Sequence, residues 1–160
     1  LLITNAESKR LAEALKGLAR VDRRRVWEIF DQKKLIVLDP QAEQRLSPRD
    51  FEDAEAVVVG GILGDHPPRG RTRLLLTKKI PAARARKLFD TQLPIDAAVY
   101  VAHQVYLGKP LEEIPLCQEV EIRHDEVHST VLPFAYPLVD GAPLISEELV
   151  EYIRRTALRR

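Results

Sequence analysis

Short unbroken apolar runs alternate along this chain with segments whose apolar residues recur at helical spacing, a rhythm that predicts an α/β fold. Leu35 to Leu38 and Ala56 to Val59 are runs of the kind that form strands buried on both faces, and Ala56 to Val59 reads as the central one. Leu1 to Thr4 reads as a further strand, with Asn5 as N-cap of a helix in which Leu11, Leu15 and Leu18 face a sheet and Glu7, Lys9, Arg10, Glu13 and Lys16 face water. Arg23 to Arg25 open a second helical stretch whose Val26, Ile29 and Phe30 share a face beside Trp27. Asp39-Pro40 closes the strand at Leu38, and Ser47-Pro48 places a capping hydroxyl and an N1 proline before a single helical turn.

Ile95 to Leu107 carries the strongest helical signal. It is apolar almost all round, which predicts a buried helix, and Gly108 stands where a C′ residue stops it. Val120 to Arg123 and Thr130 to Leu138 read as strands, Asp140-Gly141 as a turn, and Ser146 to Leu158 as a helix with Leu149, Val150, Ile153 and Leu158 inward. Arg154, Arg155, Arg159 and Arg160 end that helix, where cations suit the dipole and could meet RNA.

The candidate chemistry gathers after Val59, in GGILGDHPPRGRT. Gly60, Gly61 and Gly64 let the backbone turn and approach a ligand without a Cβ in the way, and Pro67-Pro68 stiffens the loop. Asp65, His66, Arg69 and Arg71 bring an acid, a proton carrier and two guanidinium groups to the end of one strand, where ligands bind in open α/β sheets. A phosphate-binding P-loop needs Gly-Lys-Ser/Thr, which is missing. A dinucleotide fingerprint must open directly into a helix, and Pro67-Pro68 occupies that place.

Composition narrows the partners. A chain of 160 residues suffices for one domain. The 25 basic and 24 acidic residues nearly cancel, so binding to nucleic acid would rest on local patches. One cysteine, Cys117, allows no internal disulfide and suits a reducing, cytoplasmic setting, and the four histidines form no zinc-binding pair, so no metal is expected. No apolar run approaches a membrane span. Methionine is absent even at position 1, so the chain is not expected to be an intact translation product. Asn5 is the only asparagine beside eleven prolines, which hints at a heat-adapted source.

GGILGDHPPRGRT, together with Leu38-Asp39-Pro40, Gln92 to Val99, Leu132 to Tyr136 and Asp140 to Leu144, resembles a small archaeal and eukaryotic branch of the SPOUT, or α/β-knot, methyltransferases, a branch that includes a yeast protein-arginine methyltransferase. The resemblance implies a mainly parallel sheet with helices on both faces, a carboxyl-terminal trefoil knot, and S-adenosylmethionine as cofactor. It also implies an amino-terminal strand and helix ahead of Leu1, and leaves a homodimer open. Locally, Leu74 to Thr77 suggests a strand and Pro81 to Phe89 a helix. The resemblance implies the reverse and is preferred: a helix over Thr72 to Lys79, a strand over Ala82 to Arg86, and a cofactor loop from Lys87 to Pro94.

On that resemblance, Gly60, Gly61, Leu63, Gly64, Leu88 and Leu93 surround the cofactor, largely through backbone amides, while Gln92 and Asp96 steady its ribose or the loop. Asp65, then His66, orients or deprotonates the acceptor, and Arg71 clamps an anionic group. Three positions depart from the family: Val131 and His128 replace acids, and Ala135 replaces an arginine, leaving Glu121, Asp125 and Glu126 as substitutes. The acceptor expected is a protein arginine, as on a ribosomal protein, or RNA. The alternatives are a nucleotide-binding module that uses Arg69 and Arg71 for phosphates, and a non-catalytic protein that binds S-adenosylmethionine structurally.

Overall fold

The computed structural model describes residues 1–60 and 70–157. Its elements in chain order are β1 (Leu2–Ile3), α1 (Lys9–Ala14), β2 (Arg20–Val21), β3 (Leu35–Leu38), β4 (Ala56–Val59), α2 (Arg71–Leu75), β5 (Arg84–Arg86), α3 (Ile95–Tyr106), β6 (Leu116–Cys117), β7 (Val120–Arg123), β8 (Ser129–Leu132), β9 (Tyr136–Val139), β10 (Ala142–Pro143) and α4 (Glu147–Ala157). Single 3₁₀ turns cover Val26–Glu28, Gln32–Lys34, Pro48–Phe51, Thr77–Lys79 and Leu111–Glu113.

The organising sheet is parallel, with β3 between β4 and β5. All four residues of β3 are buried, and alternate side chains enter two cores because successive strand residues point to opposite faces. Ile36 and Leu38 pack with Leu88, Val101, Ala102, Val105, Leu111 and Ile114. Leu35 and Val37 pack with Val26 and Ile80, flanked by Trp27, Phe30 and Leu76. Helical segments thus cover both faces. The central place belongs to β3, not to Ala56–Val59, which forms an edge of the sheet and is only half-buried.

The segment from Arg71 to Arg86 follows the helix-then-strand order. Leu74 and Leu75 lie in α2 and stay more than half exposed, so this apolar run is not a buried strand. The place beside β3 goes to Arg84-Ala85-Arg86, whose guanidinium groups are held by acids at the Pro48–Phe51 turn and just beyond it: Arg86 Nε donates to Asp50 Oδ1 at 2.8 Å, and Arg84 Nη1 to Asp53 Oδ1 at 2.6 Å. Two charged strand residues are tolerated there because each finds its counter-ion.

α3 begins after the extended Pro94, with Asp96 in its first turn, and ends in a Schellman motif. Gly108 has φ +96°, its N–H donates to Val105 O at 2.9 Å, and the N–H of Lys109 donates to Gln104 O at 3.0 Å. The expectation of a helix buried all round is corrected. Ala97, Val101, Ala102 and Val105 face the core, whereas Ile95, Val99, Tyr106 and Leu107 are exposed.

The amino-terminal region also departs from expectation. The N-cap of α1 is Ser8, whose Oγ accepts from Leu11 N at 3.2 Å. Asn5 instead sits at φ +56° with its N–H on Arg24 O, turning the chain from β1. α1 buries no residue, so its leucines do not cover a sheet, and β1 pairs in parallel with β2, a strand too short to be seen in the sequence pattern. The helical stretch after Arg25 is one 3₁₀ turn.

In the last quarter, β9 pairs antiparallel with both β6 and β10, while β7 and β8 form a separate antiparallel ribbon. The run from Thr130 to Leu138 therefore divides at Pro133–Ala135 into strands of two sheets. Asp140 and Gly141, at φ +52° and +80°, make the two-residue turn between β9 and β10 that right-handed strand twist favours. Ser146 Oγ accepts from Leu149 N at 3.2 Å at the start of α4, and Val150, Ile153 and Thr156 are half-buried in it. Leu158 lies outside the described residues.

Candidate functional site

Parallel pairing places Leu38 level with Val59 on one side and Arg86 on the other. Three chain segments therefore leave the sheet side by side at Asp39, Gly60 and Lys87. This carboxyl edge is where the sequence locates its candidate chemistry, and the described residues show how it is built.

Asp39 fastens the middle of the edge. Asp39 is 1% exposed, and its carboxylate accepts from Gln41 N at 2.9 Å through Oδ1 and from Thr77 Oγ1 at 2.8 Å through Oδ2. Its own N–H donates to Arg86 O at 2.9 Å. One short acid thus shapes its own turn, as aspartate does when it accepts an amide two residues on, ties that turn to β5, and anchors the segment after α2. Gly70, at φ +63°, leads into α2 beside Gln41, and a Cβ there would lie 2.7 Å from Gln41 Oε1. Arg73 Nη1 donates to Gln41 O at 3.2 Å.

The segment from Lys87 to Pro94 is braced from both sides. Lys87 N donates to Gln44 O at 2.9 Å and Leu46 N to Lys87 O at 2.8 Å. Asp90 binds Lys87 Nζ at 2.6 Å and Arg45 Nη2 at 2.7 Å, and these two partners hold its carboxyl below the ordinary range. Leu88 is buried and Leu93 packs against the same core, so any ligand contact from Leu88 must come through its backbone. From just before β9, Ala135 N donates to Gln92 O at 2.9 Å. Gln92 Oε1 is buried with no hydrogen-bond partner among the described residues. A buried carbonyl oxygen of this kind requires a donor, and at this edge a ligand hydroxyl or amine fits it.

Of the expected site residues, Gly60, Arg71, Leu88, Gln92, Leu93 and Asp96 are described. The first follows β4, Arg71 opens α2 half-buried, and Asp96 lies exposed in the first turn of α3. Burial, with the negative charge of Asp96 added to it, pushes the Tyr136 hydroxyl up. Gly61, Leu63, Gly64, Asp65, His66 and Arg69 lie outside the described residues. Sequence reasoning does not find Asp39 and Thr77. Asp39-Pro40 reads as the end of a strand, and nothing local reveals that its carboxylate reaches across to Thr77.

The acids considered as substitutes lie on or between β7 and β8. Glu121 stands directly across from Val131, which is 47% exposed. Asp125 is already engaged: amides of Val127 and His128 and the His128 ring, at 2.7 to 3.0 Å, hold its carboxyl at about 2. It caps the turn of the ribbon. Among the described residues no group of three or more His, Cys, Asp or Glu could hold a metal ion, and no helix is long and apolar enough to cross a membrane.

Residues 1–159 match the family described as protein arginine N-methyltransferase SFM1-like. The chain is 32% identical over 130 residues to protein arginine N-methyltransferase SFM1 of Saccharomyces cerevisiae, an alignment that covers 80% of this chain and 61% of the yeast protein. It therefore spans about three fifths of that relative's length. Its fold superposes on the crystal structure of yeast SFM1 complexed with SAM with a TM-score of 0.88 at 26% identity, over 99% of this chain and 78% of that one. The SAH complex gives a TM-score of 0.85 at 26% identity, over 96% and 80% of the two chains. Dual-specific Trm10 from Thermococcus kodakaraensis shares the fold at a TM-score of 0.52 and 24% identity, over 71% and 74%. The α/β architecture expected from the sequence is that of these SPOUT-class structures.

Proposed function

The chain belongs to the SFM1-like family of protein arginine N-methyltransferases, and from that premise we propose that residues 1–160 act as one S-adenosylmethionine-dependent methyltransferase unit, with a protein arginine as acceptor. The observation that carries this reading is the buried Oε1 of Gln92 at the carboxyl edge of the sheet, on the residue whose carbonyl anchors Ala135. When bound, the cofactor supplies a methyl group already activated on a sulfonium sulfur. Backbone amides of Gly60, Gly61, Gly64, Leu88 and Leu93 hold its adenosine, with Leu63 beside them. Gln92 and Asp96 receive its hydroxyl groups. Asp65 orients the acceptor nitrogen and takes the proton it loses, His66 is the second candidate for that proton, and Arg71 fixes an anionic group on cofactor or substrate. The reading places the enzyme in the cytoplasm, working on ribosomal protein, with a homodimer as one possible assembly.

Calorimetric titration with S-adenosylmethionine, its demethylated product and ATP tests the first step, and binding of ATP with neither of the others overturns it. Incubation of radiolabelled S-adenosylmethionine with ribosomes tests the second. Label is expected in protein; label in RNA reassigns the acceptor, and binding without label makes the protein a non-catalytic binder. Asp65→Asn should lower transfer by about a hundredfold while leaving cofactor affinity nearly unchanged.

A further inference from the structure

Arg45 ties three chain segments together beside the carboxyl edge of the sheet. The run from Gln44 to Leu46 lies alongside Lys87 as one more parallel rung beyond β5: Lys87 N donates to Gln44 O at 2.9 Å, Leu46 N donates to Lys87 O at 2.8 Å, and Arg45 pairs with Lys87. This register sets two cations level with each other, an arrangement that repels unless an acid stands between them. Asp90 supplies that acid. Its Oδ1 accepts from Lys87 Nζ at 2.6 Å and its Oδ2 from Arg45 Nη2 at 2.7 Å, so each oxygen takes one cation. Arg45 Nη1 also lies 3.8 Å from Glu112 Oε1, on the 3₁₀ turn that follows α3. Two nitrogens of one planar guanidinium thus reach acids on two separate segments, which the single ammonium of a lysine does not do.

The segment that contains Asp90 is fastened at its two ends. Lys87 belongs to the backbone ladder and Leu88 is buried, while Leu93 packs against the same core and Gln92 O accepts from Ala135 N. Between these fastenings the chain bends outward and returns, since the side chain of Asp90 is 64% exposed while Leu88 and Leu93 both pack on the core. The ion pairs of Asp90 fix the turn of that bend. We infer that Arg45 is a positioning residue for the cofactor: by holding Asp90 it sets the path of Lys87 to Pro94 and so the direction of the Leu88 and Leu93 amides. The inference rests on the cofactor reading given above, in which those amides hold the adenosine. Exposed ion pairs contribute little to global stability. Their effect here is local, because a loop already held in its bound path loses less conformational freedom when a ligand arrives. Affinity for the cofactor is thus more sensitive to Arg45 than stability is.

Calorimetry and amide hydrogen exchange test this. Arg45→Ala should weaken binding of S-adenosylmethionine and of its demethylated product by the same factor, about fivefold, because the loop amides and not the sulfonium charge are affected. Its thermal midpoint should stay within about 2 °C of the wild type. Arg45→Lys, which still reaches Asp90, should recover most of the lost affinity. Asp90→Asn should weaken binding at least as much as Arg45→Ala, and the double variant should bind no worse than Asp90→Asn alone, since the two residues act through one contact. Lys34→Ala removes a similarly exposed pair, Lys34 with Glu55 at 2.7 Å, at the opposite end of β3, and should leave affinity unchanged. In the ligand-free chain the amides of residues 88–93 should exchange faster in Arg45→Ala while those of β3 do not. Unchanged affinity, additive losses in the double variant, or exchange that is either unchanged at 88–93 or faster throughout the chain overturns the inference. Failure of the wild-type chain to bind either ligand, with the local exchange difference intact, overturns the cofactor reading instead.

Discussion

At the scale of single residues, the pairing of Asp50 with Arg86 makes a pH-dependent contribution whose sign is fixed. Burial alone would push the Asp50 carboxyl up, but the bonds from Arg86 and from the amide and hydroxyl of Ser47 outweigh it and hold the group below its ordinary value. Stability from this pair is therefore fully present above the ordinary carboxylate value and is lost as pH falls through the lowered one. Urea midpoints measured over an acid series should show this loss in the wild type and less of it in Asp50→Asn. At neutral pH that variant should be less stable by about 3 to 5 kcal/mol, because Arg86 keeps its charge with only 17% of its side chain exposed. Gly70 illustrates a different constraint: at φ +63° against Gln41, neither the backbone angle nor the space admits a side chain without adjustment.

At the scale of elements, α3 is informative because its composition and its packing disagree. Nearly every position is apolar, yet only one side reaches the core. Val101→Ala should cost about 2 kcal/mol, since that side chain is fully buried against β3, whereas Val99→Ala should change stability by no more than about 0.5 kcal/mol. Denaturant titration of both variants separates a half-exposed helix from one buried all round. The sequence made this element legible in place and length but not in orientation, because composition alone cannot say which side of a mostly apolar helix meets a partner. Elements specified by short-range chemistry were legible in detail: the Ser47-Pro48 turn, the Asp140-Gly141 turn, the Gly108 stop and the strand at Leu35 to Leu38. Those specified by distant partners were not. Arg84-Ala85-Arg86 is a strand on account of Asp50 and Asp53, more than thirty residues earlier. Only the family resemblance carried that information. The candidate site divides in the same way, since the glycine loop announces itself by composition while the contact of Asp39 with Thr77 spans 38 positions.

At the scale of the whole molecule, the bond from Ala135 N to Gln92 O joins the stretch just before β9 to the segment that leaves β5. Ala135 is fully buried there, so the position that departs from the family's arginine has no room for one. Ala135→Arg should therefore not recover a family feature. It should destabilise the chain by about 3 kcal/mol or more, as a buried unpaired charge does, and loosen the Lys87 to Pro94 segment. Paired measurements of thermal stability and of S-adenosylmethionine affinity should show both falling. Unchanged values would mean that the segment around Ala135 can open to solvent at little cost.

The burial of β3 on both faces also bears on how the two cores find their alignment. A strand with one wet face is held in frame by polarity, because sliding it by one residue would turn its apolar side chains toward water. Leu35, Ile36, Val37 and Leu38 have no such safeguard: slid by one, each still lands in an apolar environment, only in the opposite core. What forbids the slide is the residue that follows. Moving the strand by one position would draw Asp39 into a core or pull it off the Gln41 amide and the Thr77 hydroxyl, leaving a carboxylate with nothing to accept from. The same acid that fastens the middle of the edge thus works as an end stop, letting an all-apolar strand specify a single alignment between two equally welcoming interiors.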